Sequence, residues 1–156
     1  LIKKLKDTQG INVVVDACGK LLTETLKCKP FLIKPNIYEM CEIFNLNTIP
    51  DLEGIYACAR KLQDAGARNV IVSMGSSGAV MVTETQQSLY VRAARGQLVN
   101  SVGAGDSMIA GFIHEYIKSG NYFSALNFAT AAGSACAFTN NLATKEQIEY
   151  VESLML

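Results

Sequence analysis

Two glycines and an aspartate at the start of a helix pattern are the residues that most clearly could do chemistry. Gly103 and Gly105 flank Ala104, and Asp106 follows them directly. The helix stripe behind them consists of Met108, Ile109, Phe112, Ile113, Tyr116 and Ile117. Glycine lets the backbone approach a ligand closely, and the first N–H groups of a helix attract phosphate oxygens or a developing negative charge. The segment therefore predicts an anion site, although a plain tight turn capped by Asp106 explains these residues equally well.

The elements that must position this segment have the pattern of an α/β protein. Five short apolar runs predict strands, at residues 11–15, 31–33, 70–73, 79–82 and 88–91. The first three lack alternation, as parallel strands covered on both faces do. The last two flank a polar connection and predict an antiparallel hairpin.

Helix patterns fill the rest of the chain. Residues 51–65 carry an apolar stripe, with Asp51 placed to cap its start and Gly66 to close its end. The stripe is made of Leu52, Ile55, Ala59 and Leu62. After Asn100 the chain is predicted helical to its end, with breaks near residues 119–120 and 140–141. This order predicts right-handed βαβ units in one domain over residues 1–156, with helices outside a sheet.

Composition narrows the classes of protein. The chain has 156 residues, 49% of them apolar, with 14 basic and 14 acidic side chains. A neutral chain of this size is a globular domain and gives no support to a nucleic-acid or membrane partner. There is no Cys-x-x-Cys pair and no secretion signal, so free thiols and a cytoplasmic location are expected. The cysteines are Cys18, Cys28, Cys41, Cys58 and Cys136.

The segment from Asn100 to Asp106, followed by Ala110-Gly111-Phe112, closely resembles the second signature of the ribokinase-like (phosphofructokinase B) carbohydrate kinases. Three further segments occur in that family's order. They are the Asn-x-x-Glu element at residues 34–39, the nucleotide-phosphate loop at residues 73–78 and the small-residue helix beside the adenine at residues 125–135. The resemblance implies a ribokinase-like three-layer α/β/α sandwich with a mostly parallel central sheet. Residues 1–156 would be its C-terminal, nucleotide-binding part, since nothing after Leu1 corresponds to the sugar-binding part and lid.

The resemblance also implies roles for individual residues. Asp106 would accept the proton of the attacking hydroxyl, and the amides of Gly103, Ala104 and Gly105 would form an anion hole. Asn36 and Glu39 would hold Mg²⁺ through water. The residues implied to bind the nucleotide are Asn36, Ser73, Met74, Gly75, Ser76, Ser77, Gly78, Gly105 and Thr130.

Three other positions remain open at this stage. Lys34 either reaches a phosphate as a point charge or is a solvated strand-end residue. His114, the sole histidine, is expected at the surface or partly packed, without a catalytic role. The family often binds a monovalent cation near the start of its second signature, and the residues leave open whether Asn100 and Val102 do so.

The implied activity is phosphoryl transfer from ATP to a sugar phosphate. Residues 99–112, 132–135 and 141–146 resemble the branch that phosphorylates fructose 1-phosphate at its 6-hydroxyl to give fructose 1,6-bisphosphate. A tagatose-6-phosphate kinase is the alternative of the same chemistry, and a non-catalytic nucleotide-binding module is the alternative of another class. Alone, this chain is expected to be inactive, and a homodimer is an assembly that the resemblance allows.

Overall fold

The computed structural model describes residues 11–155. Residues 1–10, where the prediction about the start of the chain falls, and Leu156 lie outside the described residues. The described chain forms two compact units. The first contains residues 11–73 and 80–89, and the second contains residues 74–79 and 90–155.

Five strands form one sheet in the order β1-β2-β3-β4-β5. They are β1 (Val14–Val15), β2 (Leu32–Ile33), β3 (Asn69–Ser73), β4 (Ala79–Val82) and β5 (Ser88–Val91). The first three run parallel, with Val14 opposite Leu32 and Leu32 opposite Asn69. β4 and β5 are joined by a short turn closed by a hydrogen bond from the Thr83 amide to the Gln87 carbonyl. So short a connection between neighbouring strands makes the predicted antiparallel hairpin.

Burial decides how long the strands are. The side chains of β3 and β4 form the core of the sheet, and Val70, Ile71 and Val80 are fully buried. Both hairpin strands have their predicted bounds, whereas β1 covers only two of the five residues predicted. Ile11 is 46% exposed, so the start of that run has no packed surface to hold it in the sheet.

Asn69 ties three neighbouring chain segments of the first unit together. Its side-chain nitrogen donates to the Phe31 carbonyl at 2.9 Å, and its side-chain oxygen accepts from the Glu84 amide at 2.9 Å. A fully buried amide of this kind must satisfy both of its ends. This polar residue therefore fixes β3 between the segments on either side of it.

The helices of the first unit are α1 (Gly19–Thr25), α2 (Ile37–Ile43) and α3 (Leu52–Asp64). The prediction of α3 is confirmed, because Asp51 caps it by accepting a hydrogen bond from the Gly54 amide at 2.9 Å. The helix ends just before Gly66, which has a φ of +136°. A Cβ added to Gly66 would lie 2.1 Å from the Leu26 carbonyl oxygen, so this position requires glycine. The stripe is buried except at Leu52, which is exposed because it opens the first turn.

The second unit is helical, with α4 (Ala104–Ser119), α5 (Tyr122–Ala137) and α6 (Lys145–Ser153). The breaks lie where they were predicted. α4 and α5 pack closely at Gly111, where an added Cβ would lie 2.9 Å from the Ala132 Cβ. Phe112 is fully buried, but Ile117, predicted to belong to the same stripe, is 80% exposed in the last turn of α4. Among residues 11–155, no helix is both long enough and apolar enough to cross a membrane.

Candidate functional site

In the first unit, polar side chains collect where three parallel strands end. Asp16 follows β1, Lys34 and Asn36 follow β2, and Ser73 ends β3. Asn36 and Ser73 form an isolated parallel bridge, and the Ser73 amide donates to the Pro35 carbonyl at 3.1 Å. Ligands of open α/β sheets bind at this carboxyl edge. The structure thus places two of the predicted nucleotide-binding residues, Asn36 and Ser73, side by side.

Lys34 lies inside this edge and is only 5% exposed. Its Nζ is 3.4 Å from the Asp16 Oδ1, and the Asp16 side chain is 37% exposed. A buried ammonium needs such a partner, so the interpretation of Lys34 as a solvated strand-end residue is wrong. Sequence reasoning missed Asp16, whose pairing depends on the parallel register of β1 and β2.

Asn36 and Glu39 meet as predicted, but through a capping box at the start of α2. The Asn36 Oδ1 accepts from the amides of Tyr38 and Glu39, both at 2.9 Å. The Glu39 Oε2 in turn accepts from the Asn36 amide at 2.8 Å. The second carboxylate oxygen of Glu39 accepts no hydrogen bond from the described residues, so it is available to a ligand.

The oxygen donors present fit a magnesium ion held through water. Within residues 11–155, no group of three His, Cys, Asp or Glu side chains could enclose a metal. Mg²⁺ commonly keeps several waters and binds to one or two carboxylates together with substrate phosphates. The open Glu39 oxygen suits that mode, and a cage made of protein ligands alone does not exist among these residues.

In the second unit, residues 74–78 form a tight turn rich in backbone donors. The turn is closed by a hydrogen bond from the Met74 amide to the Gly78 carbonyl at 2.8 Å, and Gly75 has a φ of +57°. The amides of Gly75 and Ser76 meet no acceptor in the part of the chain that is described. Ser76 and Ser77 are exposed. Adjacent open amides of this kind form a concave site for an anion.

The start of α4 offers a second set of open amides in the same unit. Gly103 is the N-cap, with a φ of +82° that favours glycine. The Ala104 amide donates to the Ser101 carbonyl at 3.2 Å, whereas those of Gly103, Gly105 and Asp106 have no acceptor among residues 11–155. The donors open to a ligand are therefore these three, and the Ala104 amide is already used. Asp106 is exposed in the first turn of the helix.

The end of α5 fixes the turn that leads into α4. The Ala137 carbonyl accepts hydrogen bonds from the amides of Val99 at 2.8 Å and Asn100 at 3.1 Å. The Cys136 thiol lies 3.6 Å from the Val102 carbonyl oxygen. The conformation of the glycine-rich turn is thus set by a neighbouring helix as well as by its own glycines.

A pocket of about 490 Å³ lies beside this turn, within the second unit. It is lined by Val99, Phe138, Thr139, Asn140, Asn141, Leu142, Thr144 and Gln147. Sequence reasoning did not identify this pocket. Thr130 is 2% exposed and donates its hydroxyl hydrogen bond to the Leu126 carbonyl at 2.8 Å, so its polar group is not available.

His114 lies at the surface with its ring 5.5 Å from that of Phe128.

Comparisons with known proteins identify a family and relatives that this chain resembles. A model of the pfkB family of carbohydrate kinases matches residues 1–148. 1-Phosphofructokinase of Bacillus subtilis is 38% identical over 141 residues, which are 90% of this chain and 46% of that protein. D-tagatose-1-phosphate kinase of Bacillus licheniformis is 33% identical over 143 residues, which are 92% of this chain and 47% of that protein.

Solved structures resemble almost the whole chain. Phosphofructokinase-2 of Escherichia coli, in complex with substrates and products, is 25% identical with a TM-score of 0.86, over 99% of this chain and 53% of that chain. Arabidopsis thaliana ribokinase, complexed with ribose and ATP, is 22% identical with a TM-score of 0.83, over 97% of this chain and 50% of that one. The predicted ribokinase-like α/β fold is confirmed.

The chain spans about half the length of these proteins. Its match to the family model nevertheless runs through both units and through every segment that carried the resemblance. The chain belongs to the pfkB family of carbohydrate kinases.

Proposed function

We propose that this chain binds ATP as part of a kinase that phosphorylates the 6-hydroxyl of fructose 1-phosphate, giving fructose 1,6-bisphosphate. The observation that carries the proposal is the start of α4. There, open amides of Gly103 and Gly105 stand next to the exposed carboxylate of Asp106. Donors for a developing negative charge and a proton acceptor are what phosphoryl transfer to a hydroxyl requires.

Asp106 is the proposed base of the reaction. Phosphoryl transfer depends on positioning and charge neutralisation more than on covalent chemistry, and its transition state is loose. The hydroxyl therefore loses its proton late, and a carboxylate that is a weak base suffices to accept it. The amides of Gly103, Gly105 and Asp106 would stabilise the charge of the phosphoryl group in transfer.

Each unit is proposed to supply its own phosphate-binding group. In the second unit, the open amides of Gly75 and Ser76 would bind phosphate oxygens. In the first unit, Lys34 would act as a point charge, since an ammonium has three donors and Asp16 occupies one side of it. Ser73 and Asn36 complete the polar edge at which Lys34 lies.

Glu39 and Asn36 are the residues proposed to hold Mg²⁺ through water. When bound, the ion would neutralise part of the charge of the phosphates. Glu39 contributes its open carboxylate oxygen, while its other oxygen keeps the start of α2 in place. Asn36 orients that carboxylate through the capping box.

The pocket beside the turn before α4 is the proposed seat of the adenine. Its volume of about 490 Å³ is typical of a small-molecule site, and its lining combines apolar surface from Val99, Phe138 and Leu142 with asparagine side chains. Thr130 would then shape α5 from within rather than bind the base, because its hydroxyl is bonded to Leu126.

The choice of sugar rests on the relatives. One is named for fructose 1-phosphate chemistry and another for D-tagatose 1-phosphate, so both names indicate a ketohexose with its phosphate on C1. D-Tagatose 1-phosphate is therefore the second candidate substrate. Tagatose 6-phosphate remains the alternative from the sequence, and a nucleotide-binding module without turnover remains the alternative of another class.

An assay of the full-length native protein, rather than of residues 1–156 alone, separates these alternatives. ADP release coupled to NADH oxidation would be followed with fructose 1-phosphate, D-tagatose 1-phosphate and tagatose 6-phosphate, each against a reaction without sugar. We expect the highest kcat/KM with fructose 1-phosphate. ATP binding without turnover of any sugar would favour the binding module, and failure to bind ATP would contradict the proposal.

A monovalent cation and a homodimer belong to the same proposal. Phosphofructokinase-2 of Escherichia coli has also been solved in complex with potassium. In this chain the Asn100 side chain already accepts from the Val102 amide at 3.0 Å, so a cation there would use the remaining oxygens of the turn. Replacing K⁺ by tetramethylammonium tests the cation, and analytical ultracentrifugation tests the dimer.

A further inference from the structure

Arg92 carries a charge that has no partner in the described part of the chain. The guanidinium of Arg60 donates to the Ser88 hydroxyl at 2.7 Å, and that of Arg68 pairs with Glu84 at 2.6 Å. Arg92, which directly follows β5, has neither an ion pair nor a hydrogen bond with any residue from 11 to 155, and it is exposed. An unpaired surface charge is ordinary by itself, so its surroundings must decide whether it has a role.

The backbone of Arg92 lies against the turn formed by residues 74–78. A Cβ added to Gly78 would lie 2.0 Å from the Val91 carbonyl oxygen and 2.8 Å from the Arg92 Cα. Gly78 has a φ of +94°, so only glycine suits both the conformation and the close approach. The end of β5 and the turn are therefore packed backbone to backbone within the second unit.

The direction of the Arg92 side chain follows from its neighbour two residues earlier. The Tyr90 hydroxyl donates to the Ser77 carbonyl at 2.9 Å, so the Tyr90 side chain reaches over the turn. Val91, between them, is buried. Because side chains alternate along an extended chain, we infer that Arg92 projects on the same face as Tyr90. Arg92, whose guanidinium has no partner in residues 11–155, thus has its backbone beside a turn whose Gly75 and Ser76 amides are open.

We propose that Arg92 is a phosphate-binding residue, whose guanidinium pairs with the terminal phosphates of a nucleotide bound at the turn of residues 74–78. This inference rests on the proposed function, because it takes ATP as the ligand. Arginine suits the role, since its planar fork of donors matches phosphate oxygens two at a time. Backbone amides would hold one side of the phosphate chain and Arg92 the other.

The test compares nucleotides that differ only in their phosphates. Binding of ATP and of AMP would be measured by calorimetry for the wild type, Arg92→Gln, Arg92→Lys and the control Lys118→Gln. Lys118 is an exposed cation of the same unit in the last turn of α4, so its variant loses the same charge away from the turn. Thermal unfolding would confirm that each variant folds.

We expect Arg92→Gln to weaken ATP binding about tenfold, as loss of a charge-assisted hydrogen bond does, and to leave AMP binding within about twofold. Arg92→Lys should lose less than Arg92→Gln, and Lys118→Gln should match the wild type. Unchanged ATP binding in Arg92→Gln, or an equal loss for ATP and AMP, would overturn the assignment while the proposed function stands. A wild type that does not bind ATP would overturn the proposed function, and this assignment with it.

Discussion

Asp106 is exposed at the third residue of α4, so a substitution there tests its chemistry rather than its packing. In the full-length protein, we expect Asp106→Asn to lower kcat by about 10²–10⁴-fold, the usual contribution of a positioned base, because an amide cannot accept the proton. ATP affinity should stay similar or rise slightly, since a negative charge near the phosphates is removed. Initial rates with fructose 1-phosphate and ATP titrations measure the two effects separately.

The control for this variant is Asp51→Asn. Asp51 is also an aspartate at a helix start, where it caps α3, and asparagine caps a helix equally well. The Asp51→Asn variant should therefore keep full activity. If Asp106→Asn also turned over fructose 1-phosphate at close to the wild-type rate, Asp106 would be an acidic residue of the first helical turn and no more.

Glu39 combines a structural bond with an open oxygen, and a glutamine variant separates the two. Glutamine also completes a capping box, so α2 and the melting temperature should be preserved in Glu39→Gln. Loss of the charge should raise the Mg²⁺ concentration for half-maximal rate by about tenfold or more, as loss of an indirect metal contact does. A magnesium titration of the rate measures this shift.

Glu42→Gln is the matched control, because Glu42 lies on the same helix and is exposed. Its magnesium titration should equal that of the wild type. If the magnesium titration of Glu39→Gln also equalled that of the wild type, Glu39 would have only its role in the capping box.

Among the secondary-structure elements, the turn of residues 74–78 depends most sharply on glycine. Gly78 has a φ of +94° and a ψ of −138°, and a Cβ added to it would lie 2.0 Å from the Val91 carbonyl oxygen. Gly75 has a φ of +57° but nothing within 4 Å of such an atom. Gly78→Ala should therefore cost about 3 kcal/mol or more of unfolding free energy, through strain and a backbone clash.

Gly75→Ala should cost only about 1–2 kcal/mol, because the left-handed conformation is its sole penalty. Urea unfolding of both variants measures the difference. Equal losses of stability would mean that the turn moves away from β5 without cost, and the packing described here would be wrong.

Local patterns account for the elements that sequence predicts well. α3 follows from its stripe and from Asp51, and the hairpin follows from two apolar runs around a polar turn. The length of β1 could not be predicted, because it depends on what covers Ile11. The exposure of Ile117 likewise depends on which elements cover the last turn of α4, and periodicity alone does not reveal this.

The same division holds within the candidate site. Open amides at Gly103 and Gly105 follow from glycines at a helix start, and the sequence showed them. The pair of Asp16 and Lys34 could not be predicted, because the two residues meet only through the register of β1 and β2. The pocket beside Val99 depends on the path of residues 138–147, and the burial of Thr130 depends on helices packing around α5.

For the molecule as a whole, the five cysteines report which positions within each unit are buried. Cys18 is exposed, Cys28 and Cys41 are half-buried, and Cys58 and Cys136 are buried. Burial is the largest influence on the Cys58 thiol and raises its pKa above the ordinary value. The positive charge of Lys61 lowers the pKa by a smaller amount, and Cys41 raises it by the least. Neutral burial of this thiol therefore contributes stability below its ordinary pKa, and that contribution is lost as the pH rises through the raised value.

We expect iodoacetamide to label Cys18 first in the native protein and to spare Cys58 and Cys136 until the protein unfolds. Because the thiolate is the reactive form, the raised pKa of the Cys58 thiol should keep its labelling slow until high pH. Mass spectrometry of the labelled peptides at several pH values measures the order. Labelling of Cys58 as fast as that of Cys18 would contradict the packing of α3.

The Ala137 carbonyl, which accepts from the amides of both Val99 and Asn100, has a consequence for hydrogen exchange. Amides in an irregular loop usually exchange with deuterated solvent at once, because no lasting bond protects them. These two amides can exchange only when the last turn of α5 releases them. Their exchange rate therefore measures how often that end of the helix opens. Since Val99 and Phe138 line the same pocket, a nucleotide bound there would slow the exchange of these two amides.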